Sequence, residues 1–519
     1  MRSVIKLGTR RSLLAWAQSL GVARELERLR PGLKVDLVGI ETRGDKIQET
    51  PLNQVDGKEF FVAELDSALR SSAVDMTVHS MKDLSLNRPA ELICAAIPRR
   101  ENPRDVVLFG PHVFEKLKLA KKLRIGTSSP RRLENIPGFL AKALPQLSGK
   151  PQLEFLEIRG NVNTRIGRLH EPSENPRNLD GVVLAFAGLI RLWAEAEARE
   201  ELKPLLKGVR WMILPLKSCP SAPGQGALAV ECRTQDAELR KLLSALHDSE
   251  TARHVSKERV LLSEWGGGCH QAFGATLISL HELGDCFFVR GKTPDGRFVD
   301  ELHWSAPPQP PASFEIRPWN GIQWATQCSK KEETKNPLNV KNVNVKNEEG
   351  GAVFAAHSNS IQPNGSEHFY SNETRLWTSG TASWFRLAAQ GLWVEGSNEG
   401  FGFNELIKTL EEPVLQLPNL SDWTILTHEE GVKSWKLGKT IATYRVNHDY
   451  SEGAHARLSQ ATHVFWASGS QFLELKEVVS STAHHACGPG KTAQILRDHH
   501  LDFTVFPSEE EWKKWLKIS

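Results

Sequence analysis

Short apolar runs alternate with amphipathic stretches through most of residues 4–192, and that alternation restricts the chain to a few architectures. Residues 4–7 are followed by Leu13, Trp16, Leu20 and Ala23 at three- and four-residue spacing, the period of a helix with one buried face. Residues 35–40 read as the next strand, 60–70 as a helix and 75–79 as a further strand. The pattern resumes over 123–192, where 153–158 and 181–185 read as buried strands. Strands and helices in this order build sheets covered by helices, an α/β fold. Residues 235–305 are more mixed, with a helix over 249–264 and then β-rich hairpins.

The alternation stops at Pro307-Pro308-Gln309-Pro310-Pro311. From there to 368 the chain is poor in large apolar residues. It includes the polar tract 330–351, where Val340-Lys341-Asn342 is echoed by Val345-Lys346-Asn347, and it reads as a solvated linker. About 150 residues of α/β patterning follow. A length of 519 residues allows about three to five domains. Sixty-five basic residues against 62 acidic ones leave a net charge of +3, which argues against a nucleic-acid partner. Seven scattered cysteines with no Cys-x-x-Cys spacing argue against a zinc ribbon, and no metal is expected. With no 18-residue apolar stretch and no signal-like start, the expectation is a cytoplasmic protein with free thiols and no membrane contact.

The residues with chemical potential are arginines at turn-like positions. They occur in Gly8-Thr9-Arg10-Arg11-Ser12, at Arg99, Arg100 and Arg104, in Gly126-Thr127-Ser128-Ser129-Pro130-Arg131-Arg132, and in Arg159-Gly160-Asn161-Val162-Asn163-Thr164-Arg165. A guanidinium beside a helix N-terminus suits carboxylate or phosphate, so four such sets point to a ligand with several acidic groups. The alternative is a solvated basic surface. Asp83, after His79-Ser80-Met81-Lys82, sits where a strand ends; it is either a carboxylate for a cationic intermediate or a salt-bridge partner. Cys269 follows Gly266-Gly267-Gly268, a backbone open to a bulky group, and is a candidate nucleophile. Cys219 reads as structural. Cys487-Gly488-Pro489-Gly490-Lys491-Thr492 lacks the earlier glycine of a phosphate-binding loop, so no nucleotide site is expected there.

Together these stretches resemble porphobilinogen deaminases, with further matches at Thr42-Arg43-Gly44-Asp45, Pro103-Arg104-Asp105, Pro223-Gly224-Gln225-Gly226-Ala227-Leu228 and Gly267-Gly268-Cys269. The resemblance covers nearly all of 1–275 and weakens toward 305. It implies two periplasmic-binding-protein-like α/β domains and a small α+β third: 1–101 completed by 210–232, then 102–209, then 233–306. Residues 307–368 would link these to a C-terminal α/β module. It further implies a dipyrromethane cofactor joined to Cys269 and held by Arg131, Arg132, Lys82, Ser128 and Ser129. Arg10, Ser12, Arg159 and Arg165 would bind the acidic side chains of the substrate, porphobilinogen, and Asp83 would be catalytic. The product would be the linear hydroxymethylbilane, and the protein a monomer. Departures are Gly57-Lys58-Glu59 for Gly-Lys-Gly, Pro130 for leucine, Ser85 for proline, and no proline after Cys269. The rival reading is an inactive anion-binding or scaffold protein of the same fold.

Residues 369–519 resemble part of uroporphyrinogen-III synthase. The motifs are Trp377-Thr378-Ser379-Gly380-Thr381, Thr443-Tyr444-Arg445, Phe465-Trp466-Ala467-Ser468-Gly469-Ser470 and Gly488-Pro489-Gly490-Lys491-Thr492-Ala493. The resemblance implies cyclisation of the linear tetrapyrrole, with Tyr444 as the candidate for proton transfer. A partial module that docks a partner is the other reading.

Overall fold

The computed structural model describes residues 2–42, 62–267, 271–305, 323–324, 333–337, 351–361, 374–448 and 452–517. They divide into two compact units. Met1–Lys142, Leu147–Ile278 and Phe287–Leu302 form the first; Ala143–Gln146, Ser279–Cys286 and His303–Ser519 form the second.

The first unit contains two five-stranded α/β sheets. One is built from β1 (Val4–Arg10), β2 (Lys34–Ile40), β3 (Met76–Ser80), β4 (Leu92–Ala96) and β10 (Leu228–Arg233), in the order β2-β1-β3-β10-β4. Strands β1, β2 and β3 run parallel, whereas β10 is antiparallel to both its neighbours. Ile5, Leu7, Met76, Val78 and Val230 pack with Val22, Ala23 and Leu26 of helix α1 (Leu13–Leu29). Of the residues at the expected helical spacing only Ala23 belongs to that core; Trp16 is exposed and Leu13 and Leu20 are half-buried, so the buried face is turned away from the one the spacing marks. The other sheet uses β5 (Asp105–Phe109), β6 (Leu123–Gly126), β7 (Leu153–Leu156), β8 (Gly181–Ala185) and β9 (Arg210–Ile213), in the order β7-β6-β8-β5-β9. All of β5 is buried, the apolar run 106–109 and the charged Asp105 that opens it alike. A third, three-stranded sheet follows helix α9 (Ser249–Glu264) and comprises β11 (Phe273–Leu280), β12 (Gly284–Lys292) and β13 (Phe298–Trp304).

Two boundaries differ from the sequence-based expectation. Residues 210–232 do not all complete the first sheet: β9 pairs antiparallel with β5 in the second, and only β10 returns. A four-residue apolar strand carries no mark of which sheet it joins; pairing decides. Nor does 307–368 lie wholly outside a fold. Ala352–Ala355, fully buried, is an inner strand of the second unit, between Thr424–His428 and Arg375–Thr378. Its Ala-Val-Phe-Ala run is too short to stand out beside the polar tract.

The second unit has a six-stranded sheet that includes these three strands and Lys439–His448, and a four-stranded sheet that includes His463–Trp466 and His484–Cys487. Trp377, Trp384, Trp423 and Trp466 are fully buried in it.

Candidate active site

The predicted site residues of the first unit follow the carboxyl ends of parallel strands, where the next helix begins and backbone N–H groups point outward. Arg10 ends β1, and Ser12 caps α1 by accepting from the Ala15 amide at 3.4 Å. Lys82 and Asp83 lie in the 3-10 turn Met81–Asp83 directly after β3. Ser128 and Ser129 follow β6 and lead into α4 (Pro130–Ala143). Pro130 therefore occupies the first helical position, where its missing N–H has no partner to lose and its fixed φ favours the helix. Arg159 follows β7, and Asn161 caps α5 (Val162–Gly167), accepting from the Thr164 amide at 2.8 Å. Gly160 between them has φ +102, and a Cβ there would meet Thr164 at 2.9 Å.

Arg131 and Arg132 are buried and converge on one carboxylate, Asp105, at the start of β5. Arg131 Nη1 donates to Asp105 Oδ2 at 2.8 Å and to the Pro220 carbonyl at 2.8 Å. Arg132 donates to Asp105 through Nη2 at 2.7 Å and Nε at 3.2 Å, and to the Val183 carbonyl at 2.9 Å. Gln225 Nε2 adds a bond to Asp105 Oδ1 at 2.9 Å. Burial pushes the Asp105 carboxyl up, but the two guanidiniums outweigh it and hold it well below the usual carboxylate range. One anion faces two cations, leaving a net positive charge. The Arg131 Nε and Arg159 Nη2 atoms are buried without a hydrogen-bond partner, donors poised for an acceptor.

Further cations crowd the same place. Burial lowers Arg165 to about 10, and Arg132, Arg159 and Arg168 each push it the same way. Burial also pushes the Lys82 amine down; Asp83 and Asp105 pull it up, while Arg132 and Arg131 oppose them. Mutual repulsion of this kind is relieved by an anionic ligand, and the orphaned donors fit one with several carboxylates. Asp83 itself is exposed. Ser128 is not free to bind through its hydroxyl alone: Oγ donates to the Ile158 carbonyl at 2.6 Å and accepts the Ile158 amide at 3.0 Å, fastening the β6 and β7 loops together. The Ser129 amide donates to Thr127 Oγ1 at 3.3 Å.

Other singled-out groups turn out to be fasteners. Arg100 donates to Glu258 of α9 at 2.6 and 3.0 Å and to the Gln225 carbonyl at 2.7 Å, which ties its loop to that helix. His79 lies with Asp66 and Glu231 at metal-ligand spacing, yet Arg88 donates to both carboxylates. Burial, then Arg88 and Arg10, lowers His79 to about 3, so it is neutral. Cys219 is buried, its thiol toward the Asn135 carbonyl. Cys269 and the Gly57-Lys58-Glu59 departure lie outside the described residues.

The family model described as "Porphobilinogen deaminase, dipyromethane cofactor binding domain" matches residues 5–241, which span both five-stranded sheets. The chain is 40% identical over 273 residues to the porphobilinogen deaminase of Syntrophotalea carbinolica, covering 53% of this chain and 78% of that protein. It is 41% identical over 277 residues to that of Acidothermus cellulolyticus, covering 53% and 75%. The chain belongs to the porphobilinogen deaminase family. It is thereby placed among the transferases of tetrapyrrole biosynthesis, and it carries the domain that binds the dipyrromethane cofactor. The chloroplastic porphobilinogen deaminase of Euglena gracilis is 39% identical over 267 residues, 51% of each chain. Among solved structures, the periplasmic aliphatic sulphonate binding protein SsuA from Escherichia coli aligns over 51% of this chain and 71% of its own at 15% identity, with a TM-score of 0.24. No helix among the described residues is long and apolar enough to cross a membrane.

For this deaminase-family chain, the sequence reading missed Asp105, although it lies in the quoted Pro103-Arg104-Asp105. Nothing in a strand-initial aspartate announces that two arginines 26 and 27 residues on will close on it. Arg168, at the C-cap of α5 directly after Gly167, was also left out. In the second unit Tyr444 is buried in Lys439–His448, its ring 6.3 Å from that of His357 and 5.8 Å from that of His428.

Proposed function

We propose that this protein is a hydroxymethylbilane synthase that joins four porphobilinogen molecules head to tail on a dipyrromethane carried by Cys269, releasing ammonia at each addition. The observation that carries this reading is the cationic cluster of Lys82, Arg131, Arg132, Arg159 and Arg165 beside Asp83. When bound, the dipyrromethane supplies the pyrrole carbon to which the first substrate unit is joined. Arg131, Arg132 and Lys82 would hold its carboxylates, with Ser128 shaping the loop and Ser129 offering what its turn leaves available. Arg10, Ser12, Arg159 and Arg165 would take the acetate and propionate groups of porphobilinogen. Loss of ammonia from the aminomethyl group of the incoming porphobilinogen leaves an electron-poor carbon; the free α-carbon at the growing end would bond to it, and the new C–C bond is completed as that α-carbon loses its proton. Asp83, exposed at its strand end, would accept hydrogen bonds from the pyrrole N–H groups and stabilise the cationic stage. Hydrolysis then releases the linear tetrapyrrole and leaves the primer.

Intact mass with peptide mapping around Cys269 tests this. A dipyrromethane on Cys269, and a ladder of single pyrrole additions after porphobilinogen, is the expected result. A chain that stays unmodified after porphobilinogen is supplied overturns catalysis in favour of an inactive anion-binding scaffold.

For residues 369–519 the proposed activity is closure of that product to uroporphyrinogen III. The supporting observation is Tyr444, buried against two imidazoles at the end of a parallel strand pair, a place for assisting departure of a hydroxyl. Isomer analysis of the oxidised product decides: the III isomer from wild type, shifting toward I in Tyr444→Phe, is expected. Isomer I alone from wild type removes the cyclase reading.

A further inference from the structure

Helix α9 ends three residues before Gly267 and five before Cys269. Along its length it packs on one segment, the turn bearing Lys82 and Asp83 and the loop after it. Val255 lies in a buried cluster with Met81 and Leu84. Leu262 and Trp265 share a cluster with Leu86, and a Cβ on Gly267 would lie 3.2 Å from Leu86. Between these apolar contacts sits Arg259, whose Nη1 donates to the carbonyls of Met81 at 3.0 Å and Leu84 at 3.1 Å, while Nη2 donates to that of Ser85 at 3.0 Å.

Three backbone carbonyls share one half-buried guanidinium. Among the described residues Arg259 makes no ion pair; burial pushes its guanidinium down, Arg88 adds to that, and Glu231 opposes it. The bound oxygens bracket Asp83 on both sides in sequence. The turn is confined from another direction as well, because a Cβ on Gly224 (φ +75) would strike Met81 at 2.8 Å and approach the Lys82 amide at 3.3 Å. Positions 255, 259 and 262 fall at the three- and four-residue spacing of one helix face, so a single face of α9 meets the segment.

We propose that Arg259 is a positioning residue that holds the turn bearing Asp83 against α9, so that the Asp83 carboxylate keeps its place as the chain grows. It does not touch substrate; it acts through the backbone on either side of Asp83. The inference rests on the deaminase reading above.

The test uses full-length wild type, Arg259→Gln and Arg259→Lys. Intact mass gives the fraction of each that carries a dipyrromethane, and kcat and KM for porphobilinogen are then expressed per primed molecule. A displaced carboxylate slows chemistry rather than binding, so kcat per primed Arg259→Gln molecule should fall about 10–100-fold with KM changed by less than about threefold. Arg259→Lys, which keeps the charge and part of the carbonyl binding, should recover some of that loss; it also serves if the Gln variant does not fold. A primed variant with wild-type kcat overturns the inference, as does a loss that disappears once activity is counted per primed molecule. Wild type that neither carries nor extends a primer would instead overturn the deaminase reading itself.

Discussion

Asp105 shows what one buried charge can do when two others depend on it. Desolvation of a carboxylate costs several kcal/mol, and here it is offset by bonds from Arg131, Arg132 and Gln225. Asp105→Asn keeps the shape but removes the charge, leaving two buried guanidiniums facing each other. The expected loss is about 3–5 kcal/mol in urea unfolding, together with loss of dipyrromethane from the purified protein. His79 supplies a pH dependence. Its folded value, about 3, lies below its ordinary 6.5, so between them the unfolded chain takes up a proton that the folded chain refuses. Stability therefore falls as pH drops through that window, by at most roughly 1.4 kcal/mol per pH unit from this group. His79→Gln should flatten the slope of unfolding free energy against pH between about 4 and 6; an unchanged slope would assign the acid sensitivity elsewhere.

Among elements, the junctions between strands and helices govern where functional groups point, and these were largely legible. The turn-like stretches 8–12, 126–132 and 159–165 and the helix over 249–264 follow from local chemistry that acts over three or four residues; that Ser12 and Asn161 cap helices and Pro130 opens one is seen in the structure. The strands Arg210–Ile213 and Ala352–Ala355 were misplaced because their partners lie far away in sequence. The same limit hid Asp105 and Arg259, whose roles exist only once distant elements meet. Gly224 is a sensitive junction of this kind. Gly224→Ala forces a side chain into φ +75 and against Met81, so it should cost about 1–2 kcal/mol and lower kcat by shifting the turn before Asp83. Thermal unfolding and steady-state kinetics on one preparation check both effects.

Across the molecule, the net charge of +3 conceals a strong local field where Lys82 and four arginines gather. Attraction of a multiply charged substrate to such a site is screened by salt, so kcat/KM for porphobilinogen should fall steadily as ionic strength rises from about 0.01 to 0.5 M, with kcat far less affected. A salt-independent kcat/KM would mean that the arginines serve the folded structure alone. The order of strands in the first unit has a bearing on how the chain is made. Strand Leu228–Arg233 lies between Met76–Ser80 and Leu92–Ala96, while the whole second sheet falls within residues 105–213. A ribosome therefore delivers every strand of the second sheet before the first can close. Until residue 233 emerges, the strand leading to Asp83 lacks its neighbour on one side, and the nascent chain exposes an unpaired edge to whatever holdase is at hand.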